Sequence, residues 1–250
     1  AAFAANTRGR PGVGRGVRTG RRHSRVRGAP EVMGELPVAC LAEEIETPGP
    51  GQVRALFTVA GNPVLSTPNG ERLDRALGSL EFMVSLDIYL NETTRHADVV
   101  LPGLSVLEEA HFDVAFPQLA CRNAARWSPP LVAPPADRPE EWQSLLRLAA
   151  IAMGQGSTAD VDAIDDMIVA GQVQAAVADE FGPVFGREPG EILAALQPRR
   201  GPERMVDLAL RTGPYGDGFG ADPQGLSLAK LEAAPHGVDL GPLGPRLPEM

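Results

Sequence analysis

Two groups of polar residues stand where short apolar runs end, which is where α/β proteins place much of their chemistry. The turn Gly61-Asn62-Pro63 follows one run, and Asp87 follows another. In open α/β sheets a ligand binds beyond the carboxyl ends of parallel strands, and a helix that begins there directs free amides towards it. Gly61 lets the backbone approach an anion, and an acid in the position of Asp87 can bind a ribose hydroxyl or a guanine amino group. The spacing therefore indicates a nucleotide site, with an ordinary sheet edge as the alternative.

Metal-binding and covalent chemistry have little basis in the sequence. His111 has carboxylates on both sides, at Glu108, Glu109 and Asp113, but no second His or Cys completes a ligand set. A solvated loop is the more frequent outcome of such a pattern. The chain contains no nucleophile elbow, Walker loop or His-Glu-x-x-His motif, so hydrolase, P-loop and zincin chemistry have no basis. We assign no catalytic residue and no metal ligand.

The charge is divided unevenly along the chain. Residues 1–28, the arm, hold eight arginines and no acid, whereas the whole chain has a net charge of −9. Such an arm could neutralise the phosphates of a polyanion, bind its own acidic body, or contact an anionic cofactor. Phe3 is its only aromatic residue, so base stacking has little basis and nucleic acid is disfavoured. A basic-arm polyanion binder stays open as an alternative.

Cysteine usage and hydropathy bear on the cell compartment. Cys40 and Cys121 have no companion cysteines, which excludes a disulfide framework and a complete zinc or iron–sulfur ligand set. No apolar run approaches the ~18 residues that a membrane helix needs, and no signal peptide is visible. We therefore expect a cytoplasmic protein without a membrane partner. The first residue is Ala1 and the first methionine is Met33, so we expect a piece of a longer protein.

The apolar pattern before residue 105 alternates strands with helices. Thr67 is placed to cap a helix that begins at Pro68, and the run at 53–60 is typical of a strand buried on both faces of a parallel sheet. Strand, helix and strand in this order make a βαβ unit, which predicts an α/β fold with a doubly wound, mostly parallel, Rossmann-like sheet. The predicted elements are an acidic helix over 30–47, a strand over 53–60, the helix from Pro68, and strands over 82–86 and 97–101.

The C-terminal half is predicted to be helical and rich in loops, in keeping with 28 glycines and 24 prolines. An extended loop over 104–137 precedes helices over 142–153, 160–181, 188–196 and 202–210, and the tail offers only a short helix over 227–233. The chain is accordingly divided into the arm (1–28), an α/β cofactor-binding region (29–137), a helical continuation (138–211) and a Gly/Pro-rich tail (212–250).

Three segments in order carry a resemblance to a known family. They are Ala-Gly-Asn-Pro-Val-Leu-Ser at 60–66, the segment from Phe82 to Thr94, and Ala-Asp-Val-Val-Leu-Pro at 97–102 with Leu107-Glu108 after it. Together they resemble the molybdopterin oxidoreductases, which hold a bis(molybdopterin guanine dinucleotide) cofactor and include formate dehydrogenases and nitrate reductases. The match covers residues 53–110 closely.

The resemblance implies that this chain corresponds to the third domain of the family, an α/β module that holds one of the two pterin guanine dinucleotides. It also implies roles for eight residues. These are Gly61, Asn62, Pro63 and Ser66 beside the nucleotide, Asp87 and Asn91 at the guanine end, and Thr93 and Asp98 in support of the loop.

Parts of the family pattern are not visible in this sequence. The Cys-rich motif for a 4Fe-4S cluster, the residue that binds molybdenum or tungsten, and the C-terminal domain that completes the cofactor cage are not found. We therefore expect the cofactor-binding portion of a two-electron oxidoreductase that is inactive alone. Its expected partners are the N- and C-terminal domains of the same enzyme and an electron-transfer protein. A noncatalytic nucleotide-binding module is the alternative.

Overall fold

The computed structural model describes residues 19–114 and 120–242. Within them, one unit ends at Ser105 and a second follows. Neither contains a helix that is long and apolar enough to cross a membrane. Predictions for residues 1–18 and 243–250 lie outside the described residues. The functional division into arm, cofactor-binding region, helical continuation and tail stays a prediction.

The first unit contains the predicted parallel strands and two helices that pack on them. The predicted helix over 30–47 is wrong in its first half, because Pro30–Val32 pairs antiparallel with Thr19–His23 and buries Glu31 against Arg21. Only Leu41–Glu46 is α-helical. The elements in order are β1 (Thr19–His23), β2 (Pro30–Val32), α1 (Leu41–Glu46), β3 (Ala55–Val59), α2 (Pro63–Ser66), α3 (Gly70–Leu77), β4 (Phe82–Leu86) and β5 (Val99–Leu101).

The predicted helix start at Thr67 and Pro68 is also wrong. The chain turns into α2 directly after Asn62, and Thr67 ends that helix, with its hydroxyl donating to the carbonyl of Pro63 at 2.7 Å. A second helix, α3, begins after Asn69, which adopts the left-handed conformation at φ 59°. Proline at the first position of α2 is favourable, because its missing N–H would have no partner within the helix.

The strands β3, β4 and β5 form a parallel sheet in that order, as the sequence predicts. Leu73 and Leu77 of α3 pack with Ile45 of α1 and with Met83 of β4, which is fully buried. The prediction that β3 is buried on both faces is wrong. Its side chains alternate between half-buried and exposed, since α1 and α3 cover one face of the sheet. The doubly wound, Rossmann-like arrangement stays a prediction.

The second unit contains helices close to the five predicted ones, with a strand pairing that the sequence did not indicate. The tail residues Val238–Pro242 pair antiparallel with Arg122–Ala125, with Asp239 and Arg122 in contact although they are 117 positions apart. The elements are β6 (His111–Phe112), β7 (Arg122–Ala125), β8 (Trp127–Ser128), α4 (Glu141–Ala152), α5 (Val161–Ala178), α6 (Pro189–Ala195), α7 (Gly201–Thr212), α8 (Leu228–Glu232) and β9 (Val238–Pro242).

A buried ion pair joins α5 to α7. The Arg204 guanidinium donates to the Asp165 carboxylate at 2.6 Å, and their side chains are 2% and 5% exposed. The same carboxylate accepts from the amide of Gly201 at 3.0 Å. Buried charges are tolerated only when they are paired and hydrogen-bonded, so this contact fixes the packing of the two helices.

Candidate functional site

The carboxyl ends of β3 and β4 lie side by side, as the sequence predicts. The parallel register pairs Val59 with Leu86, and the amide of Ala60 donates to the carbonyl of Leu86 at 2.8 Å. The next residues along the two strands are the Gly61 turn and Asp87. The two polar groups selected from the sequence are therefore neighbours at one edge of the sheet.

The turn after β3 has an open backbone. Ala60 and Gly61 both take left-handed conformations, at φ 50° and 77°. For Ala60 this conformation costs about 1–2 kcal/mol, because its Cβ approaches the following carbonyl. A Cβ placed at Gly61 would meet no atom within 4 Å, so space is free above the backbone there. A ligand can approach the exposed Gly61 closely.

Asn62 links the turn to the loop that follows β4. Its Nδ2 donates to the Glu92 carboxylate at 2.5 Å, and its Oδ1 accepts from the Thr93 hydroxyl at 2.7 Å. The same hydroxyl accepts from the amide of Val64 at 3.1 Å. The hydrogen bond from Asn62 lowers the pKa of Glu92. Thr93 is fully buried, so this contact holds the two loops in a fixed relation.

Asp87 and Asn91 shape the second loop. The Asp87 carboxylate accepts from the amide of Tyr89 at 2.9 Å and lies 3.5 Å from the Asn91 Nδ2. Asn91 Oδ1 accepts from the amides of Thr93 and Thr94 at 2.9 and 3.0 Å. Asp87 is 9% exposed, and among the described residues one of its oxygens has only the long contact to Asn91. That oxygen has capacity for a further donor.

The predicted site residues do not all lie together. Asn62, Asp87, Asn91 and Thr93 are close to one another through the contacts just described, and the exposed Ser66 ends α2. Asp98 lies at the other end of the sheet, where its carboxylate accepts from the amide of Met83 at 2.7 Å. Met83 and Asp87 are four residues apart on a strand, which is about 13 Å.

The expectation that a helix directs free amides towards this edge is wrong for α2, whose first amides are already hydrogen-bonded. The amide of Val64 donates to Thr93, and those of Leu65 and Ser66 donate to the carbonyl of Asn62 at 3.0 and 2.9 Å. These groups are engaged before any ligand arrives. Gly61 and Ser66 are exposed at this edge, so the backbone of one and the hydroxyl of the other can be reached by an anion.

Sequence reasoning missed Glu92 and Thr94. Thr94 is 1% exposed, and its hydroxyl accepts from the amide of Asn91 at 2.8 Å and donates to the carbonyl of Tyr89 at 2.9 Å. The signal was present, because an Asn side chain that accepts from amides two and three residues on forms an Asx turn, and Asn91-Glu92-Thr93-Thr94 has that composition. The contact of Glu92 with Asn62 could be found only from the tertiary structure, because the two residues are far apart in the sequence.

His96 and Arg95 share a carboxylate as their structural partner. His96 Nε2 lies 2.6 Å from the Asp74 carboxylate, which also binds Arg95 at 2.7 Å; hydrogen bonds from Arg95 and then His96 lower the pKa of Asp74. Across residues 19–114 and 120–242, no group of three His, Cys, Asp or Glu side chains is arranged to hold a metal ion.

Three of the four described arginines of the arm bind acidic residues within their own unit. Arg21 contacts Glu31, Arg25 contacts Glu44 at 3.2 Å, and Arg27 contacts Glu43 at 2.8 Å. These three guanidinium groups stabilise β1, β2 and α1. The remaining N-terminal arginines up to Arg18 lie outside the described part of the chain.

The donor set at the strand ends fits one end of a nucleotide. Gly61 and Ser66 offer an open backbone and a hydroxyl to an anion, and Asp87 offers a largely buried acceptor oxygen to an N–H group. These are the groups that phosphate and guanine require.

Comparison with known proteins extends the picture. A family model described as molybdopterin oxidoreductase matches residues 3–150. The chain is 30% identical over 148 residues to the assimilatory nitrate reductase catalytic subunit of Bacillus subtilis, a match that covers 58% of this chain and 20% of that protein.

Two further similar proteins are also named as oxidoreductase or dehydrogenase subunits. The NADPH-Fe(3+) oxidoreductase subunit alpha of Geobacter sulfurreducens is 31% identical over 180 residues, covering 71% of this chain and 20% of the relative. A formate dehydrogenase subunit alpha of Methanocaldococcus jannaschii is 31% identical over 115 residues, covering 46% of this chain and 16% of the relative. The chain therefore spans at most about a fifth of the length of these three relatives.

Proposed function

Because the chain belongs to the molybdopterin oxidoreductase family, we propose that the edge formed by the ends of β3 and β4 binds the guanine dinucleotide end of molybdopterin guanine dinucleotide. One observation carries the proposal: the register that pairs Val59 with Leu86 makes the Gly61 turn and Asp87 neighbours. A fold of this type binds nucleotides at the carboxyl ends of its strands.

Each polar group at the edge has a part in this proposal. The open backbone at Gly61 and the hydroxyl of Ser66 bind phosphate oxygens. The acceptor oxygen of Asp87 binds the N–H groups on the Watson–Crick edge of guanine, which adenine does not present in the same arrangement. Asn62 and Thr93 hold the two loops at the separation that the ligand requires.

The whole protein is proposed to be a two-electron oxidoreductase. The pterin cofactor, when bound with molybdenum or tungsten, supplies the redox chemistry, and this chain contributes binding and orientation. A 4Fe-4S cluster, the metal ligand, the remaining cofactor contacts and the electron-transfer partner are assigned to polypeptide beyond this sequence. The chain alone is expected to bind nucleotide weakly and to lack redox activity.

The test uses GDP and ADP as probes. Isothermal titration calorimetry on the 250-residue chain is expected to detect GDP binding at least tenfold tighter than ADP binding. Asp87→Asn removes the charged acceptor and should reduce the GDP preference to less than threefold, and Ser66→Ala should weaken both nucleotides equally. Asp98→Asn is the matched control, because Asp98 lies at the other end of the sheet.

Two outcomes would contradict the proposal. Equal binding of GDP and ADP by the parent chain would exclude guanine recognition at Asp87. An Asp98→Asn chain that loses the preference while Asp87→Asn retains it would move the site to the opposite edge. Circular dichroism of each variant shows whether the fold is kept.

A further inference from the structure

The second unit contains a cavity of about 680 Å³ against one side of α7. Its wall includes Glu203, Asp207 and Arg211, which follow one another at intervals of four residues along that helix. The end of α6, the segment between α6 and α7, and the start of α8 form other parts of the wall. The volume is that of a small-molecule site, roughly 300–1,000 Å³. The described lining residues all belong to this unit, so the cavity shares none of them with the strand-end site.

The least exposed part of the wall holds an acid and a base that are only loosely paired. The side chains of Asp207 and Arg211 are 6% and 16% exposed, and their nearest charged atoms are 3.8 Å apart. Asp207 Oδ1 accepts from the amide of Leu228 at 2.8 Å, whereas among the described residues Oδ2 accepts no hydrogen bond. Arg211 donates from Nε and Nη2 to Asp217, and its Nη1 reaches the carbonyl of Ala195 at 3.5 Å. One carboxylate oxygen and one guanidinium nitrogen therefore have capacity for a ligand.

The spacing of these two groups suits a ligand with adjacent opposite charges. In an α-amino acid the ammonium nitrogen and a carboxylate oxygen lie about 3 Å apart, because three bonds join them. Each can make a short charge-assisted hydrogen bond, one with Asp207 and one with Arg211, in place of their 3.8 Å contact. Burial raises the pKa of Asp207, so an ammonium partner would stabilise its charged form. A simple anion would be repelled by Asp207, and a simple cation by Arg211.

The wall one turn earlier on α7 favours a basic side chain. Glu203 lies about 6 Å from Asp207 along the helix axis, since four residues rise by that distance. Its ion pair with Arg199 is long, at 3.6 Å, while the Arg199 guanidinium donates to Glu232 at 2.8 and 2.7 Å. Burial raises the pKa of Glu203, and the carboxylates of Glu232 and Glu140 raise it further. A cation on a four-carbon stem, as in lysine, is long enough to reach Glu203 and would relieve this repulsion.

We propose that this cavity binds a free α-amino acid with a basic side chain. Asp207 holds the α-ammonium group, Arg211 holds the α-carboxylate, and Glu203 holds the cation of the side chain. Each of these three wall charges is opposite to the ligand charge that it faces, which gives the site its selectivity. The proposal is independent of guanine binding.

The probes are L-lysine and two molecules that each lack one of its charges. L-norleucine has the same stem without the side-chain cation, and cadaverine is lysine without the carboxylate. Isothermal titration calorimetry on the 250-residue chain should give L-lysine binding at least tenfold tighter than that of either. Asp207→Asn removes the charge that faces the ammonium group and should weaken L-lysine binding at least tenfold. Glu203→Gln should reduce the preference for L-lysine over L-norleucine to less than threefold.

Asp239→Asn is the matched control, because Asp239 pairs with Arg122 at an exposed position and does not line the cavity. It should leave L-lysine binding unchanged, and Asp207→Asn should leave GDP binding unchanged. Far-ultraviolet circular dichroism shows whether each variant keeps its fold, and the comparison of the three ligands on the parent chain needs no variant.

Four results would overturn the proposal. They are the absence of L-lysine binding, equal binding of L-lysine and either analogue, full L-lysine binding by a folded Asp207→Asn chain, and displacement of L-lysine by GDP. The last result would identify the cavity as a nucleotide site.

Discussion

The two units use polar groups in different ways. In the first unit, polar side chains gather at the strand ends, where Gly61, Ser66 and Glu92 are exposed. In the second, the pair of Arg204 and Asp165 is buried between helices. A polar group that water can reach is available to a ligand, whereas a buried ion pair has used its hydrogen bonds to hold the fold. The exposed polar groups of the first unit are therefore available for binding, whereas the buried ion pair of the second unit connects two helices.

The apolar surfaces differ in the same way. Val169 and Val173 of α5 and Ile192 of α6 are fully buried in one cluster of the second unit. In the first unit, α1 and α3 cover one face of β3 and β4, whereas Phe57, Val59 and Phe82 on the other face, which we call the open face, are 40%, 46% and 48% exposed. The second unit encloses these apolar side chains between its helices, whereas the first leaves several apolar side chains of one sheet face exposed.

The largest expected effect is in the buried pair. Arg204→Ala leaves Asp165 charged and buried, which should reduce the free energy of unfolding of the second unit by about 3–5 kcal/mol. Urea titration followed by tryptophan fluorescence measures it, because both tryptophans, Trp127 and Trp142, lie in that unit. Arg200→Ala, at a half-exposed pair with Asp166, should cost much less, because water screens that pair. Equal losses would remove the distinction between buried and surface pairs.

The next largest loss of stability is expected on the sheet face that α1 and α3 cover. Met83→Ala should destabilise the first unit by about 2–5 kcal/mol, because it empties a fully buried position. Its neighbour Phe82 is 48% exposed on the open face, so Phe82→Ala should cost much less. Hydrogen exchange of the β4 amides, with urea titration, measures both. A larger loss at Phe82 would mean that the open face is covered in solution.

Thr93→Val should have an intermediate effect. The substitution keeps the shape but removes the hydroxyl that accepts from Val64 and donates to Asn62, so we expect a loss of about 1–3 kcal/mol. Urea titration with far-ultraviolet circular dichroism measures the loss, and GDP binding should weaken in parallel. Ser66→Ala, at an exposed position, is the control and should leave stability unchanged. Unchanged stability of Thr93→Val would show that the two loops are not joined by this contact.

A smaller effect, of opposite sign, is expected at the strained turn. Ala60→Gly should stabilise the first unit by about 1 kcal/mol, because glycine takes the left-handed conformation without the Cβ contact. Asn69→Gly, also left-handed, should gain less, since asparagine tolerates this conformation. Thermal unfolding of both variants tests the order. A loss of stability in Ala60→Gly would contradict the strain.

Two carboxyl groups, Glu31 and Asp207, should give the stability opposite dependences on pH. The hydrogen bond from Arg21 lowers the pKa of Glu31 from its ordinary 4.5 to about 2. Stability from this group is fully present above pH 4.5 and is lost as the pH falls towards 2. Burial raises the pKa of Asp207 above its ordinary 3.8, so its contribution has the opposite slope and is lost as the pH rises through the raised value.

Acid titrations of Glu31→Gln and Asp207→Asn check these signs. Glu31→Gln should flatten the stability loss between pH 4.5 and 2. Asp207→Asn should remove a destabilisation that grows above pH 3.8. If both variants shift the profile in the same direction, the environment assigned to one of the two carboxyls is wrong.

Much of the candidate site was predictable because its signals are local. The apolar runs before Gly61 and Asp87 indicate parallel strands, and a parallel pair brings its carboxyl ends to one edge. Glycine at Gly61 follows from a turn that needs positive φ. The helix boundary at Thr67 was wrong because the chain already turns at Asn62, and a hydrogen bond to Thr93, 31 positions away, stabilises that turn.

The sequence by itself determined the parallel strands β3 to β5, the approximate positions of the helices of the second unit, the residues at the strand ends and the family, because each depends on neighbours within a few positions. Only the tertiary structure decided that Asp98 faces the other end of the sheet, that one face of β3 is open, and that β9 joins β7. Those outcomes depend on which distant surfaces meet, and closing a long loop costs an entropy that no local pattern reveals.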